Sequence, residues 1–152
     1  MKKFRFHLEK LLSYKDQLLN SEMMTLGILQ NELKDAQDKV SALEAQFTQC
    51  KLKFQEEMTG NVTPAACQLH LNYIEHLKVQ IKEAHKEVDL LTEKVDRQIE
   101  TVKALKLDSK SLESIKDSRF EEYQKEGQKK FEAQIEEFVV TSKIMGTAMG
   151  EF

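Results

Sequence analysis

Apolar side chains return along the first third of the chain at intervals that alternate between three and four residues. This spacing is the heptad repeat, in which apolar residues form a seam along one side of a helix and pack against a second helix. The repeat runs without a charged interruption from Leu26 to Phe54. Its members are Leu26, Leu29, Leu33, Ala36, Val40, Leu43, Phe47, Cys50 and Phe54.

A second heptad series follows the only proline, Pro64. It has one polar member, Gln98, and consists of Ile74, Leu77, Ile81, Ala84, Val88, Leu91, Val95, Gln98, Val102 and Leu105. Between the two series, Gly60 or Asn61 is expected to end the first helix in a left-handed cap, and Thr63 is expected to cap the second. The two series therefore predict an all-α fold, a long antiparallel coiled-coil hairpin of two helices.

The pattern predicts a first helix over about residues 4–58, a turn over 59–64 and a second helix over about 64–138. At 1.5 Å per residue, these helices would be about 80 Å and about 110 Å long. Antiparallel pairing sets Phe4 near Gln124, so the second helix overhangs the first. We expect residues 1–138 to form one coiled-coil domain. Residues 139–152 contain two glycines and little charge, and we expect a short flexible tail there.

The apolar stripe is wider near the open end of the predicted hairpin, and its members there drift out of strict heptad spacing. Leucines and methionines cluster on the first helix, as Leu8, Leu11, Leu12, Leu18, Leu19, Met23 and Met24. One interpretation is a thicker core of the same hairpin. The other is an exposed apolar strip that contacts a partner.

Composition and charge exclude several classes of function. A formal net charge of −3 gives no overall attraction to phosphate backbones, so nucleic acid is not expected as a partner. The two cysteines, Cys50 and Cys67, are expected to be reduced thiols of a cytoplasmic protein. We predict no signal peptide and no direct membrane span, because no apolar run approaches about 20 residues.

Candidate chemistry is sparse. The chain has no glycine-rich phosphate loop and no nucleophile motif, so no catalytic residue and no cofactor are predicted, and an enzyme is not expected. Cys67 and His70 are three residues apart, a spacing compatible with metal binding. Structural zinc takes four ligands, so we instead expect a small core thiol and an exposed imidazole there.

In three stretches, Phe4 to Lys15, Tyr73 to Leu77 and Lys129 to Glu137, the sequence resembles the FliJ family of flagellar export proteins. Phe4 to Lys15 resembles the family's opening, F-x-F-x-L-x-x-L-L-x-x-[KR]. Tyr73 to Leu77 resembles its Y-x-x-[aromatic or His]-[aliphatic] segment, with His at position 76. Lys129 to Glu137 resembles its charged end, K-x-x-E-x-x-x-[DE]-E. Together with the chain length and the position of the turn, the resemblance covers nearly the whole chain.

This resemblance implies a non-enzymatic stalk of the type III flagellar export apparatus, similar to the coiled-coil shaft of the rotary ATP synthase gamma subunit. The end with both termini would enter the ring of the export ATPase, FliI, and promote its activity. The turn would reach the export gate protein, FlhA, and FliH and export chaperones would be further partners. The protein would be monomeric when free and peripheral at the cytoplasmic face of the inner membrane.

The resemblance also implies which residues bind partners. The ATPase end would use Phe4, Phe6, Leu8, Leu11 and Leu12. Apolar residues of the overhang would add to this set, namely Phe131, Ile135 and Phe138. The gate end would use Tyr73, His76 and Leu77.

Two other interpretations remain open from the sequence. A general coiled-coil scaffold, or the stalk of a virulence-type secretion system, predicts the same fold. A parallel homodimer would use the same heptads without a hairpin, but Pro64 between two complementary series argues against it.

Overall fold

The computed structural model describes residues 2–150, and it describes side chains over residues 2–146. Two helices account for most of this range: α1, Glu9–Met58, has 50 residues, and α2, Pro64–Gly150, has 87. No strand occurs within the described residues. The all-α fold predicted from the heptads is therefore confirmed.

The contacts within the chain define two compact units. The hairpin unit is Leu19–Ala104, which contains the turn and the adjoining parts of both helices. The terminal unit combines the residues up to Leu18 with those from Leu105 onward. Each helix contributes to both units.

The seam of the hairpin unit consists of the residues that the heptads predict. Every predicted seam position from Leu26 to Phe54 and from Ile74 to Val102 is buried or half-buried. Leu77 has the deepest position, with 2% of its surface exposed. Full burial within the hairpin unit is confined to this stripe, because two helices that pair as a coiled coil cover only one side of each other.

Polar contacts within the hairpin unit show that the helices are antiparallel. Glu57, near the end of α1, pairs with His70, near the start of α2. Further from the turn, a carboxylate oxygen of Glu44 lies 3.2 Å from Nε2 of His85. Residue numbers therefore decrease along α1 as the numbers of their partners along α2 increase. The seam is thus filled within one chain, and the arrangement differs from the parallel homodimer alternative.

The turn differs in one respect from its prediction. The backbone N–H of Thr59 donates to the Glu56 carbonyl at 3.3 Å, and that of Gly60 donates to the Glu57 carbonyl at 3.2 Å. These hydrogen bonds join residues three apart, as in a 3₁₀-helix, and they tighten the last turn of α1. No described residue has a positive φ. The predicted left-handed cap is therefore wrong. The Thr63 hydroxyl accepts from the Ala66 N–H at 3.3 Å, so the predicted N-cap is confirmed.

The first helix begins later than predicted. Residues 2–6 have no regular secondary structure, and the predicted start at about residue 4 is corrected to Glu9. Phe4 is half-buried and Phe6 is buried, so both rings pack within the terminal unit. In a helix, Phe4 and Phe6 would point about 200° apart. A helix through residues 4–6 would therefore turn one of the two rings away from the rest of the terminal unit.

The second helix continues beyond its predicted end at about residue 138. It remains helical over residues 139–150, where the sequence suggested an irregular tail. Val139, Val140 and Thr141 each cost less than about 0.7 kcal/mol relative to alanine, which does not stop a helix that is already propagating. Glu151 and Phe152, which also belong to the predicted tail, lie outside the described residues. The flexibility of this segment stays a prediction.

The core of the terminal unit mixes apolar and polar contacts. Phe6, Leu12 and Leu105 are buried there, together with Ser109. The Ser109 hydroxyl donates to a carboxylate oxygen of Asp16. Two ion pairs flank this core, Lys15 with Asp108 at 3.3 Å and Lys116 with Glu9 at 2.8 Å.

The wide apolar stripe near the termini is divided between core and surface. Leu12 is buried and Leu18 is half-buried, which fits the interpretation of a thicker core. Leu11, Met23 and Met24 are exposed, which fits the interpretation of an apolar strip for a partner. The thicker core therefore accounts for part of the stripe, and the contact with a partner stays a prediction for the exposed part.

Replacing Gly27 by alanine is expected to stabilise the protein. Gly27 lies inside α1, and a Cβ atom added there would meet no atom within 4 Å. Glycine in a helix interior costs about 0.5–1 kcal/mol relative to alanine, because it loses more backbone freedom on folding. Urea unfolding followed by circular dichroism should show a gain of that size, and an unchanged or lower midpoint would contradict the expectation.

Candidate partner-binding surfaces

An aromatic cluster holds the N-terminal segment against α2. The ring of Phe4 lies edge-on to Phe120, with 5.2 Å between their centroids, and 5.5 Å from the ring of Tyr123. The Tyr123 hydroxyl donates to the backbone carbonyl of Lys2. Aromatic pairs at such distances stabilise by about 0.5–1.5 kcal/mol each beyond simple burial. The segment is therefore fixed by contacts of its side chains and its backbone.

The five residues that the resemblance assigns to the ATPase end have different environments. Phe6 and Leu12 are buried in the terminal unit, and Phe4 and Leu8 are half-buried. Leu11 is 42% exposed. Of this set, Leu11 is thus the residue most available to a partner, and the others hold the segment in its conformation.

An open cleft of about 700 Å³ lies beside this segment. Two aromatic rings, those of Phe4 and Phe6, form its apolar part. All of its other lining residues are polar or charged, and three of the five are basic: Arg5, His7, Glu9, Lys10 and Lys116. An apolar floor with a largely basic border suits an acidic, partly apolar surface of a partner.

The three assigned residues of the overhang are all exposed. Phe131, Ile135 and Phe138 lie on one face of α2 because they are separated by four and three residues. Large apolar side chains that are exposed together commonly mark an interaction surface. This part of the prediction corresponds to a surface that a partner can reach.

The residues assigned to the gate end lie in the hairpin unit, on the third and fourth turns of α2. Tyr73 and His76 are exposed and are three residues apart, so their side chains share a face. Leu77 instead faces the seam and is buried. The structure thus brings Tyr73 and His76 to the surface but not Leu77.

Leu69 was missed by the sequence interpretation. It is 73% exposed and precedes Tyr73 by four residues, so the two side chains are neighbours on the surface of α2. The spacing was visible in the sequence, but Leu69 does not belong to the stretch that resembles the family. An exposed leucine beside an exposed tyrosine enlarges the apolar patch near the turn.

The candidate metal ligands near the turn have other roles. Cys67 is a half-buried free thiol, as predicted for a small core residue. His70 is half-buried rather than exposed, because it pairs with Glu57 and its ring lies 6.1 Å from that of Phe54. Among the residues that the structure describes, no three His, Cys, Asp or Glu side chains come close enough together to hold a metal ion.

These features define a class of protein: a two-helix coiled-coil protein with exposed apolar patches near its turn and on the last part of its second helix. In the described part of the chain, no helix is long and apolar enough to cross a membrane. The family model described as the flagellar FliJ protein matches residues 4–142. The chain therefore belongs to the FliJ family, and its role lies in flagellar protein export. No curated protein and no solved structure matches it.

Proposed function

We propose that this protein is a non-enzymatic component of the flagellar export apparatus that inserts its terminal unit in the ring of the export ATPase, FliI, and promotes ATP hydrolysis. The observation that carries the proposal is the exposed apolar face of Phe131, Ile135 and Phe138 in a chain of the FliJ family. Exposed Leu11 and the cleft beside Phe4 provide further contacts in the same unit.

The physical basis of the stimulation is asymmetry. A single chain that enters a ring of identical subunits contacts some of them more extensively than others. Subunits that bind it more tightly in one conformation are shifted toward that conformation. Nucleotide binding and contact with this protein are then coupled, and the coupling acts equally in both directions.

We further propose that the patch of Leu69, Tyr73 and His76 contacts the export gate protein, FlhA. These side chains are exposed on α2, while Leu77 packs in the seam below them. Leu77 therefore acts as a positioning residue, because it holds this stretch of α2 against α1. The patch belongs to the hairpin unit, so the proposed contacts with FlhA and FliI involve different units.

Other parts of the proposal depend on the family alone. FliH and the export chaperones would be additional partners, and escort of free chaperones would accompany the ATPase role. The protein would be monomeric when free and peripheral at the cytoplasmic face of the inner membrane. The competing function is that of a general coiled-coil scaffold or of a stalk in a virulence-type secretion system, which would bind neither FliI nor FlhA.

Replacing Leu11 by serine is expected to weaken the stimulation of FliI. The side chain is exposed, so its loss should leave the fold intact while it removes apolar contact area with the ATPase. We expect the loss of one such contact to raise the concentration of this protein that gives half-maximal stimulation of FliI by about tenfold. Leu107→Ser is the matched control, because Leu107 is an exposed leucine of the terminal unit that the proposal does not use. Equal behaviour of the two variants would contradict the assignment.

Replacing Tyr73 by alanine is expected to weaken binding of the FlhA cytoplasmic domain by about tenfold, because it removes a large aromatic contact. Tyr14→Ala is the control, since Tyr14 is an exposed tyrosine of the terminal unit. Isothermal titration calorimetry with each purified variant measures both affinities. An effect of Tyr14→Ala equal to that of Tyr73→Ala would show that the patch near the turn is not the gate contact.

A further inference from the structure

A smaller open cleft lies where the N-terminal segment packs against α2, in the terminal unit, and its volume is about 340 Å³. The aromatic residues Phe4 and Tyr123 line it, together with Gly127. Its other lining residues are all charged and exposed: Lys2, Lys3, Arg5, Glu126 and Lys130. Four of these five are basic, so this site is named the basic cleft.

The charges of the basic cleft do not cancel. Its four basic side chains and one glutamate leave a net charge of +3. In the described part of the chain, none of these four basic side chains forms an ion pair. A bound anion would interact favourably with all four and reduce their mutual repulsion. The cleft is therefore suited to an anionic ligand.

Gly127 keeps the basic cleft open. It lies inside α2, where glycine is less favourable than alanine, and it is buried. The Tyr123 hydroxyl, one turn earlier, donates to the Lys2 carbonyl and holds the N-terminal segment against the same part of α2. A larger side chain at position 127 would occupy part of the cleft or displace this segment.

The surroundings of the basic cleft restrict the size of the anion. Residues 121–137 of α2 contain six glutamates and three lysines, so the helix around the cleft is acidic. An extended polyanion, such as a nucleic acid or an anionic membrane, would meet these glutamates as well as the cleft. A short segment seated in the cleft is closest to the four basic side chains, and salt screens charges beyond about 8 Å. The ligand that fits is therefore a short acidic segment.

We propose that the basic cleft binds a short acidic peptide segment of a partner protein. The carboxylates of this segment lie among Lys3, Arg5 and Lys130. An apolar side chain of the segment contacts the rings of Phe4 and Tyr123, which distinguishes a peptide from a free anion such as phosphate. The inference goes beyond the proposed ATPase role, because the chemistry of the cleft does not require that FliI supplies the segment.

Two labelled peptides of about eight residues test the proposal with the full chain. The first contains glutamate at most positions and one phenylalanine, and the second has glutamine in place of every glutamate. Fluorescence anisotropy measures the binding of each peptide. The glutamate peptide is expected to bind at least about tenfold more tightly, because only its side chains carry negative charge.

Lysine variants locate the binding site. The double variant Lys3→Gln with Lys130→Gln removes two charges of the cleft and is expected to weaken binding of the glutamate peptide by at least about tenfold. Its control is Lys110→Gln with Lys125→Gln, which removes two charges from lysines of the same unit that do not line the cleft. The control is expected to change the affinity by less than about twofold. All four lysines are exposed, so both variants should fold.

A glycine variant separates binding in the cleft from general attraction between charges. Gly127→Leu leaves every charge in place but fills the cleft or displaces the N-terminal segment, so it is expected to weaken binding by at least about tenfold. Gly27→Leu is the control, because a Cβ atom added at Gly27 meets no atom within 4 Å. Circular dichroism at 222 nm checks that both variants remain helical.

Four results would overturn the inference. The first three are equal affinity for the two peptides, equal effects of the two double lysine variants, and equal effects of the two glycine variants. The fourth is a chain that does not bind the glutamate peptide but binds phosphatidylserine vesicles through Lys3 and Lys130, which would identify an anionic membrane surface as the ligand. The experiment uses no FliI, so its outcome does not depend on whether the proposed ATPase contact is correct.

Discussion

Replacing Leu77 by aspartate is expected to lower the free energy of unfolding by at least about 4 kcal/mol. Truncation of a buried leucine alone costs about 2–5 kcal/mol, and an unpaired carboxylate in the same place adds a desolvation cost. Among the described residues, Leu77 is the most deeply buried large side chain, and it lies in the seam of the hairpin unit. Urea unfolding followed by circular dichroism at 222 nm measures the loss.

Leu69→Asp is the matched control for this prediction. It introduces the same carboxylate two turns earlier on α2, at a leucine that is largely exposed. A surface substitution of this kind changes stability by about 0.5 kcal/mol or less. A midpoint for Leu77→Asp that equals that of Leu69→Asp would mean that Leu77 is not part of the folded seam.

A chain that ends at Lys130 is expected to lose its stimulation of the export ATPase. The truncation removes Phe131, Ile135 and Phe138, which are the exposed apolar residues in the proposed contact. It retains Phe120 and Tyr123, which hold the N-terminal segment. Because the removed side chains are exposed, the urea midpoint should remain close to that of the full chain. ATP hydrolysis by FliI with the full and truncated chains measures the effect.

The control for the truncation is Val140→Ser in the full chain. Val140 is exposed and lies outside the helix face formed by Phe131, Ile135 and Phe138, so stimulation should be unchanged. Undiminished stimulation by the chain that ends at Lys130 would show that the end of α2 is not needed at the ring. The contact with the ATPase would then have to involve Leu11 and the cleft beside Phe4.

The paired helices were predictable because their signal is local and repeated. Seam positions such as Val40, Ala84 and Leu91 can be read from the spacing of apolar residues, and all of them are buried. Thr63 and Pro64 combine a capping side chain with a residue suited to the first helical position. Each of these signals involves residues within a few positions of each other.

The N-terminal segment could not be predicted in the same way. Its non-helical conformation is held by Phe120 and Tyr123, which are remote in the sequence and contact Phe4. Within the stretch from Phe4 to Lys15, the apolar residues from Leu8 onward also have the spacing of a helix.

The candidate binding residues show the limit of a motif as a guide to a surface. A motif identifies positions, but whether a side chain is exposed depends on tertiary packing. Phe6, Leu12 and Leu77 belong to the stretches that resemble the family, yet they are buried. Leu69 lies outside those stretches and is exposed beside Tyr73. The motifs propose regions, while burial separates the residues that hold the fold from those that a partner can reach.

The most direct test of the proposed function is a titration of the purified export ATPase, FliI, with this protein. The rate of ATP hydrolysis is measured as a function of added chain. The proposal predicts that the rate rises with added protein and saturates. It also predicts that half-maximal stimulation needs a higher concentration of the Leu11→Ser variant than of the unchanged chain, whereas the Leu107→Ser variant behaves like the unchanged chain. A rate that does not change at any concentration, together with no detectable binding to FliI, would contradict the role in ATPase stimulation and favour a general coiled-coil scaffold.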